Sequence, residues 1–252
     1  MKIVSIGYHC FFFALRKLTN LWLTCGCIYH LPTTFNGFRS LTELNLHHVK
    51  ISKKTLLHLL SSCPLLEDLT LYLEEDDILG NDRSSITDLI KCLPAIRRLV
   101  TVGWFFRCFS VHSFLQKLPI SLVGLKYLHI EDMSFLNSGG LPSFFRLIQC
   151  SPNLEELSFL SYETDGNETI TLKNYSNIWL KNLKEFEIYG FFELKLRLEF
   201  VKLILAKSPM LKKVYIRVDE DVTDNQVSNI SRLLQHSPRA SRLAKITVER
   251  YR

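Results

Sequence analysis

The sequence predicts an α/β leucine-rich-repeat solenoid, a horseshoe with parallel strands on its concave face and helices on its convex face. Three observations predict it. The first is a recurring L-x-x-L-x-L, seen in Leu41-Thr42-Glu43-Leu44-Asn45-Leu46 and again in the stretches Leu66–Leu71, Leu125–Ile130 and Leu154–Phe159. The second is its period. With softer copies starting at Leu18, Ile96, Leu183, Leu211 and Leu243, the first positions stand 23, 25, 30, 29, 29, 29, 28 and 32 residues apart. So steady an interval is the mark of stacked repeats. The third is a helical pattern, closed by proline, between most of the copies.

Alternation along a strand sends positions 4 and 6 of each copy to one side and positions 3, 5 and 7 to the other. One such strand with its return segment cannot bury its apolar side alone. Stacking on neighbours buries it and produces a quasi-one-dimensional slab.

Taken in order, residues 1–17 read as a ragged N-terminal segment. Ile3 to Leu15 is apolar-rich after Lys2, but Arg16 and Lys17 close it early and no small-x-small cleavage site follows. A first imperfect repeat fits better than an export signal, and the stretch is too short to cross a membrane as a helix. Residues 18–180 are the main array and 181–252 a terminal section of repeats. Ser52 to Leu60 has apolar residues at helical spacing behind a Ser cap and stops at Pro64. The same cassette predicts helices over Ser84–Cys92, Val111–Leu118, Leu141–Cys150, Leu196–Ala206 and Asp224–Gln235, each followed by a proline, which cannot continue a helix. Residues 161–180 break the rule. They are polar and β-branched and carry Asp165-Gly166, a turn signal, so no regular helix is expected there. The acidic runs Glu74–Asp77 and Asp219–Asp221 read as solvated loops after strands.

Composition narrows the function. Of 252 residues 47% are apolar, and 31 basic against 25 acidic residues give a formal net charge of +6. That balance, with the signs interspersed, does not point to nucleic acid. Seven cysteines are present, an odd number, and none falls between Ser151 and Arg252. A secreted disulfide framework would be even and spread over the fold. Cys63, Cys92 and Cys150 fall at like places in the repeat and read as core thiols. Cys25-Gly-Cys27, with His30 nearby, lacks the second pair that zinc needs, and His47-His48 reads as a surface pair. No metal site and no cofactor are expected. Phosphate-loop, dinucleotide, zinc-protease and serine-hydrolase motifs are absent, so no catalytic residue is assigned and the chain is not expected to be an enzyme. Three sequons, at Asn167, Asn174 and Asn229, matter only if the chain is secreted.

What remains is the surface that the repeat itself presents. Positions 3, 5 and 7 put Tyr72, Tyr127, Tyr189 and Tyr215 on the concave face, with His129 among them. Glu156, Glu185 and Glu187 cluster in the middle, and Lys213 and Arg217 lie toward the C-terminus. Large amphipathic aromatics are the material of protein-binding hot spots. These ten residues are the candidate partner-binding site, with a protein target as the partner.

The stretch Leu31–Leu46 resembles the repeat start of plant F-box/LRR proteins, as does Leu60-Ser-Ser-Cys63-Pro64-Leu65-Leu66-Glu67. Residues 181–252, with Leu183–Gly190, Glu199–Lys202 and Ser208–Lys213, are similar to the FBD region that ends many of those proteins. The resemblance covers about residues 18 to 252. It implies substrate recognition for a cullin–RING ubiquitin ligase, and a cytoplasmic or nuclear location. In the family an F-box docks the Skp-type adaptor. Here the repeats start within the first 20 residues, so adaptor binding is expected only if an F-box is supplied elsewhere. Neither nucleic acid nor membrane is expected as a partner. The alternative is a secreted or membrane-associated recognition protein built on the same repeats.

Overall fold

The computed structural model describes residues 2–6, 13, 15, 17–79, 85–108, 121–133, 140–160, 172–175, 177–191 and 195–250. One sheet runs through all of it. Its strands are β1 (Lys2–Ile6), β2 (Asn20–Ile28), β3 (Glu43–Ser52), β4 (Asp68–Tyr72), β5 (Ile78–Leu79), β6 (Arg98–Val102), β7 (Tyr127–Glu131), β8 (Glu156–Leu160), β9 (Glu185–Phe191), β10 (Lys213–Val218) and β11 (Lys245–Arg250). They pair in parallel in chain order, except that β5 pairs with the end of β3 and β4 pairs directly with β6. From β2 onward, and leaving the short β5 aside, every strand begins at position 3 of a copy of the motif.

A backbone device sets that starting point. From Thr19 to Lys184 the carbonyl of the position-2 residue accepts two N–H groups from the next repeat; at the last junction the Lys212 carbonyl accepts from Lys245 alone. Thr42 takes those of Glu67 and Asp68, both at 2.9 Å. Arg97 takes Lys126 and Tyr127, Glu155 takes Lys184 and Glu185, and Lys184 takes Lys212 and Lys213. Each strand is thereby hung from its predecessor at one fixed residue, and the side-chain columns stay in phase.

The phase puts the leucines where the pattern requires. Position 4 is filled by Leu21, Leu44, Leu69, Leu99, Leu128, Leu157, Phe186 and Val214, each no more than 2% exposed, and on the last strand by Ile246, which is partly buried. Leu69, Leu99, Leu128 and Leu157 face one another through three successive strand pairs. Burying a side chain of this size stabilises by roughly 1.5–3 kcal/mol, so the column is a main source of cohesion. Two inward positions depart from the pattern. Thr101 stands at position 6 with no exposure, and its hydroxyl has no partner among the described residues. Leu243, expected as the first core leucine of the last copy, is 74% exposed. The last interval, 32 residues, is the longest; Arg242-Leu243 form a turn that ends one residue nearer its strand than in the other repeats, and Ala244 and Ser241 on either side of it are buried, the Ser241 hydroxyl donating to the Leu211 carbonyl at 2.6 Å.

The return side is helical. The helices are α1 (Lys53–Ser61), α2 (Ile86–Lys91), α3 (Gly140–Gln149), α4 (Lys195–Lys207) and α5 (Asp224–Gln235). Ser52 caps α1 by accepting from the Thr55 N–H at 3.0 Å. Capping boxes start α2 (Ser85 with Asp88) and α5 (Thr223 with Gln226), satisfying amides that a helix start leaves open. Between α3, α4 and the sheet lies an aromatic cluster around Phe144, whose ring centroid is 5.2 Å from that of Phe159 and 6.2 Å from that of Phe200. The helix expected over Val111–Leu118 lies outside the described residues. So does most of 161–180, whose described part includes one 3-10 turn over Leu172–Tyr175.

Candidate protein-binding face

The register turns the repeat positions into three rows crossing the sheet. In the position-3 row Tyr127 is next to Glu156, Glu156 to Glu185, Glu185 to Lys213 and Lys213 to Lys245. The position-5 row passes through His129, Ser158, Glu187, Tyr215 and Thr247. Tyr72 and Tyr189 lie in the third row. All ten sequence-assigned residues therefore stand on one face, and they fall into two clusters.

The central cluster joins β4, β6, β7 and β8. The Tyr72 hydroxyl donates to Glu131 at 2.6 Å, and burial together with that carboxylate pushes its pKa well above the usual phenol range. His129 lies 2.5 Å from the Ser158 hydroxyl through Nδ1 and 3.5 Å from Glu131 through Nε2. Burial lowers the His129 pKa more than Glu131 raises it, so the ring is neutral at pH 7. The Arg98 guanidinium sits 4.7 Å from the Tyr127 ring centroid, a cation–π distance, and reaches Asp68 at 3.3 Å. The His47 and Tyr72 rings meet at 4.6 Å.

The C-terminal cluster is built on Arg217. Its guanidinium pairs with Glu187 and with Glu249, both at 2.6 Å, and lies 5.4 Å from the Tyr189 ring and 5.7 Å from the Tyr215 ring. A bulge helps to place it. Gly190, at φ 61°, adds a residue to β9 and shifts the register between Ile216 and Val218, a conformation glycine adopts without strain. Buried Arg197 from α4 donates to the Gly190 carbonyl at 2.6 Å. Lys213 pairs with Glu185 at 2.5 Å, and that carboxylate raises the Lys213 pKa. The expected strip of acidic charge is thus largely matched from within: Glu185 and Glu187 hold Lys213 and Arg217, and Glu156 is left exposed.

Three similarities to known proteins are found. Residues 8–93 match the family model described as FBD-associated F-box protein At5g56370, LRR repeats. Over 90% of its length the chain is 27% identical to the F-box/FBD/LRR-repeat protein At1g13570 of Arabidopsis thaliana, covering 67% of that protein. The chain is thus similar, over most of its length, to a plant F-box/FBD/LRR-repeat protein. A crystal structure of an internalin from Listeria monocytogenes is also similar, with TM-score 0.42 and 17% identity over 98% of this chain. The chain spans 62% of that internalin's length.

This F-box/FBD/LRR-like chain also carries a third cluster, at the first repeats, that the sequence reading passed over. Glu43 accepts from the Trp22 indole at 2.6 Å and from Asn45 at 3.0 Å, and Asn20 also donates to it. The positional rule holds the signal. Applied to the copy at Leu18 it puts Asn20, Trp22 and Thr24 on this face, and applied to the copy at Leu41 it puts Glu43 and Asn45 beside them. Arg98 was in the right column without its stacking on Tyr127 being visible, because side-chain reach between strands is not periodic. Among the described residues no group of three or more His, Cys, Asp or Glu side chains could hold a metal ion, and no helix is long and apolar enough to cross a membrane.

Proposed function

We propose that the chain is a protein-recognition module that captures a target on its concave face, as the substrate-recognition part of a cullin–RING ubiquitin ligase. The Skp-type adaptor would join through an F-box supplied elsewhere. The observation that carries the reading is the Arg217 cluster. An arginine held between two tyrosines by two carboxylates is rigid before any partner arrives, and Tyr and Arg are the residue types that dominate binding energy. Tyrosine adds contact area at small entropic cost. Kinship with F-box/FBD/LRR proteins supports the ubiquitin context. Because Glu185 and Glu187 are already paired, the exposed Glu156 carries the steering of a basic target, and the tyrosines carry the affinity.

A photo-crosslinking phenylalanine analogue placed at 215 and, separately, at 189 tests this in plant extract. The expected result is one protein joined at both sites, whose binding to the purified chain weakens by about 2 kcal/mol or more in Tyr127→Ala or Tyr215→Ala. The same target should accumulate when the chain is depleted. If the concave variants bind like the parent while Lys54→Glu, exposed on α1, abolishes binding, the helical side carries recognition instead.

A further inference from the structure

Among the described residues, one group of cations without carboxylate partners lies away from the concave face, on the edge where the last strands begin. Three large apolar side chains protrude near it, in the segments that lead into β9, β10 and β11: Trp179 is 54% exposed, Met210 51% and Leu243 74%. They sit in a part of the sequence without acid. Residues 177–184, 200–218 and 236–248 contain no Asp or Glu. Lys181, Lys207, Lys212 and Arg242 come from these segments, and among the described residues none of the four has a carboxylate partner. On the opposite edge β10 runs out into Asp219-Glu220-Asp221, and Asp224 opens α5. The final repeats are therefore polarised across their width. Cations and apolar tips lie ahead of the strands, where Glu185 at the start of β9 is already held by Lys213, and the acidic run lies where β10 ends.

We propose that this strand-start edge docks an acidic segment of a partner protein, one that sets apolar side chains among Asp and Glu. Neighbouring strands lie roughly 4.7–4.9 Å apart, so turns on adjacent repeats bring the apolar tips and the cations within reach of one extended or helical segment. An exposed apolar cluster rimmed by a single sign of charge marks an interaction site, and its complement is apolar at the centre and acidic around it. The geometry favours a protein over a lipid surface. The Lys207 ammonium lies 5.0 Å from the Trp179 ring centroid, so driving the indole into hydrocarbon would drag a charge in beside it, at high cost. A carboxylate of a protein partner can meet that ammonium while an apolar neighbour covers the ring. This edge is separate from the concave rows, and the proposal stands whether or not those rows bind a target.

The test uses the full chain and a fluorescein-labelled synthetic peptide in which Leu and Phe alternate with Asp and Glu. A second peptide has Lys in place of every acid, and vesicles of phosphatidylcholine with and without phosphatidylserine form a further arm. The expected result is saturable binding of the acidic peptide that weakens as salt rises, with no binding of the basic one. Affinity should fall at least about tenfold both in Trp179→Ser/Met210→Ser/Leu243→Ser and in Lys181→Glu/Lys212→Glu/Arg242→Glu. Tyr127→Ala and Tyr215→Ala should bind the peptide like the parent, which separates this edge from the concave face. All substituted positions are surface residues, and circular dichroism confirms folding of each variant. The proposal is overturned if the acidic peptide does not bind, if it binds both edge variants as tightly as the parent, or if phosphatidylserine vesicles bind in its place through the same residues.

Discussion

The Tyr72 hydroxyl meets the Glu131 carboxylate at 2.6 Å across 59 residues of sequence, with β6 lying between their strands. The bond ties the third strand-forming repeat of the array to the fifth, a span that nearest-neighbour stacking does not reach. Tyr72→Phe keeps the ring against His47 and removes the donor alone. A hydrogen bond to a charged, partly exposed group contributes about 1.5 kcal/mol, so the urea midpoint should drop by a corresponding amount with the m-value unchanged. An unchanged midpoint would show that water replaces the tyrosine without loss.

Leu128→Ala should cost about 2–5 kcal/mol, the usual range for opening a cavity in a packed core. Leu243→Ala should move stability by less than about 0.5 kcal/mol, because its side chain already faces solvent. Paired denaturation curves give both values. Equal losses at the two sites would contradict the turn assigned to Arg242-Leu243.

Acid should weaken the fold through two histidines. Burial lowers the folded-state pKa of His129 and of His47 below the ordinary histidine value of about 6.5. A depressed pKa means the unfolded chain binds the proton more readily. The stability these rings contribute is therefore fully present above 6.5 and is lost as pH falls toward the folded values. Urea midpoints recorded downward from pH 7 should decline, and His129→Gln should flatten part of that decline. A variant whose curve runs parallel to the parent's would remove His129 from the account.

Thiol reactivity should divide by burial. Burial pushes the Cys63 thiol up to about 12 and Cys150 up to about 11. The thiolate is the nucleophile, so iodoacetamide at mildly alkaline pH should label exposed Cys25 quickly and reach Cys63 and Cys150 only after unfolding. Mass spectrometry of a time course reads the order. Rapid native-state labelling of Cys63 would place it outside the core.

The fold was legible because its information is periodic. Leucine spacing located the start of each strand from β2 onward, the short β5 excepted, since a strand with one buried face must repeat its apolar residues at the stacking period. Prolines located the ends of α1 and α2 for a local reason, the missing N–H. The C-terminal register was less legible. Leu243 fits the motif as written, but the turn before β11 lies one residue nearer the strand, so Leu243 falls in the turn and Ala244 is buried after it, and a motif match does not register such a slip. On the candidate site, the rule for positions 3, 5 and 7 placed Tyr127, Tyr189 and Tyr215 on one face. It did not show that Arg217 would sit between Tyr189 and Tyr215 or neutralise Glu187, because those contacts depend on a bulge at Gly190 and on rotamers. It also did not show that Glu131 would be taken up by Tyr72.

The carbonyl that accepts two N–H groups at position 2 has a consequence for how such a chain can change. It makes the first residue of each strand a fixed datum, and whatever lies behind it is free in length. The spacings of 23 to 32 residues are all absorbed on the return side without moving a single column of the face. Unequal crossing-over that adds or drops whole units would then lengthen or shorten the recognition surface in steps of one row. Insertions within the return segments would be silent there. The array can be edited like movable type: each sort may differ in depth, and the printing surface stays level.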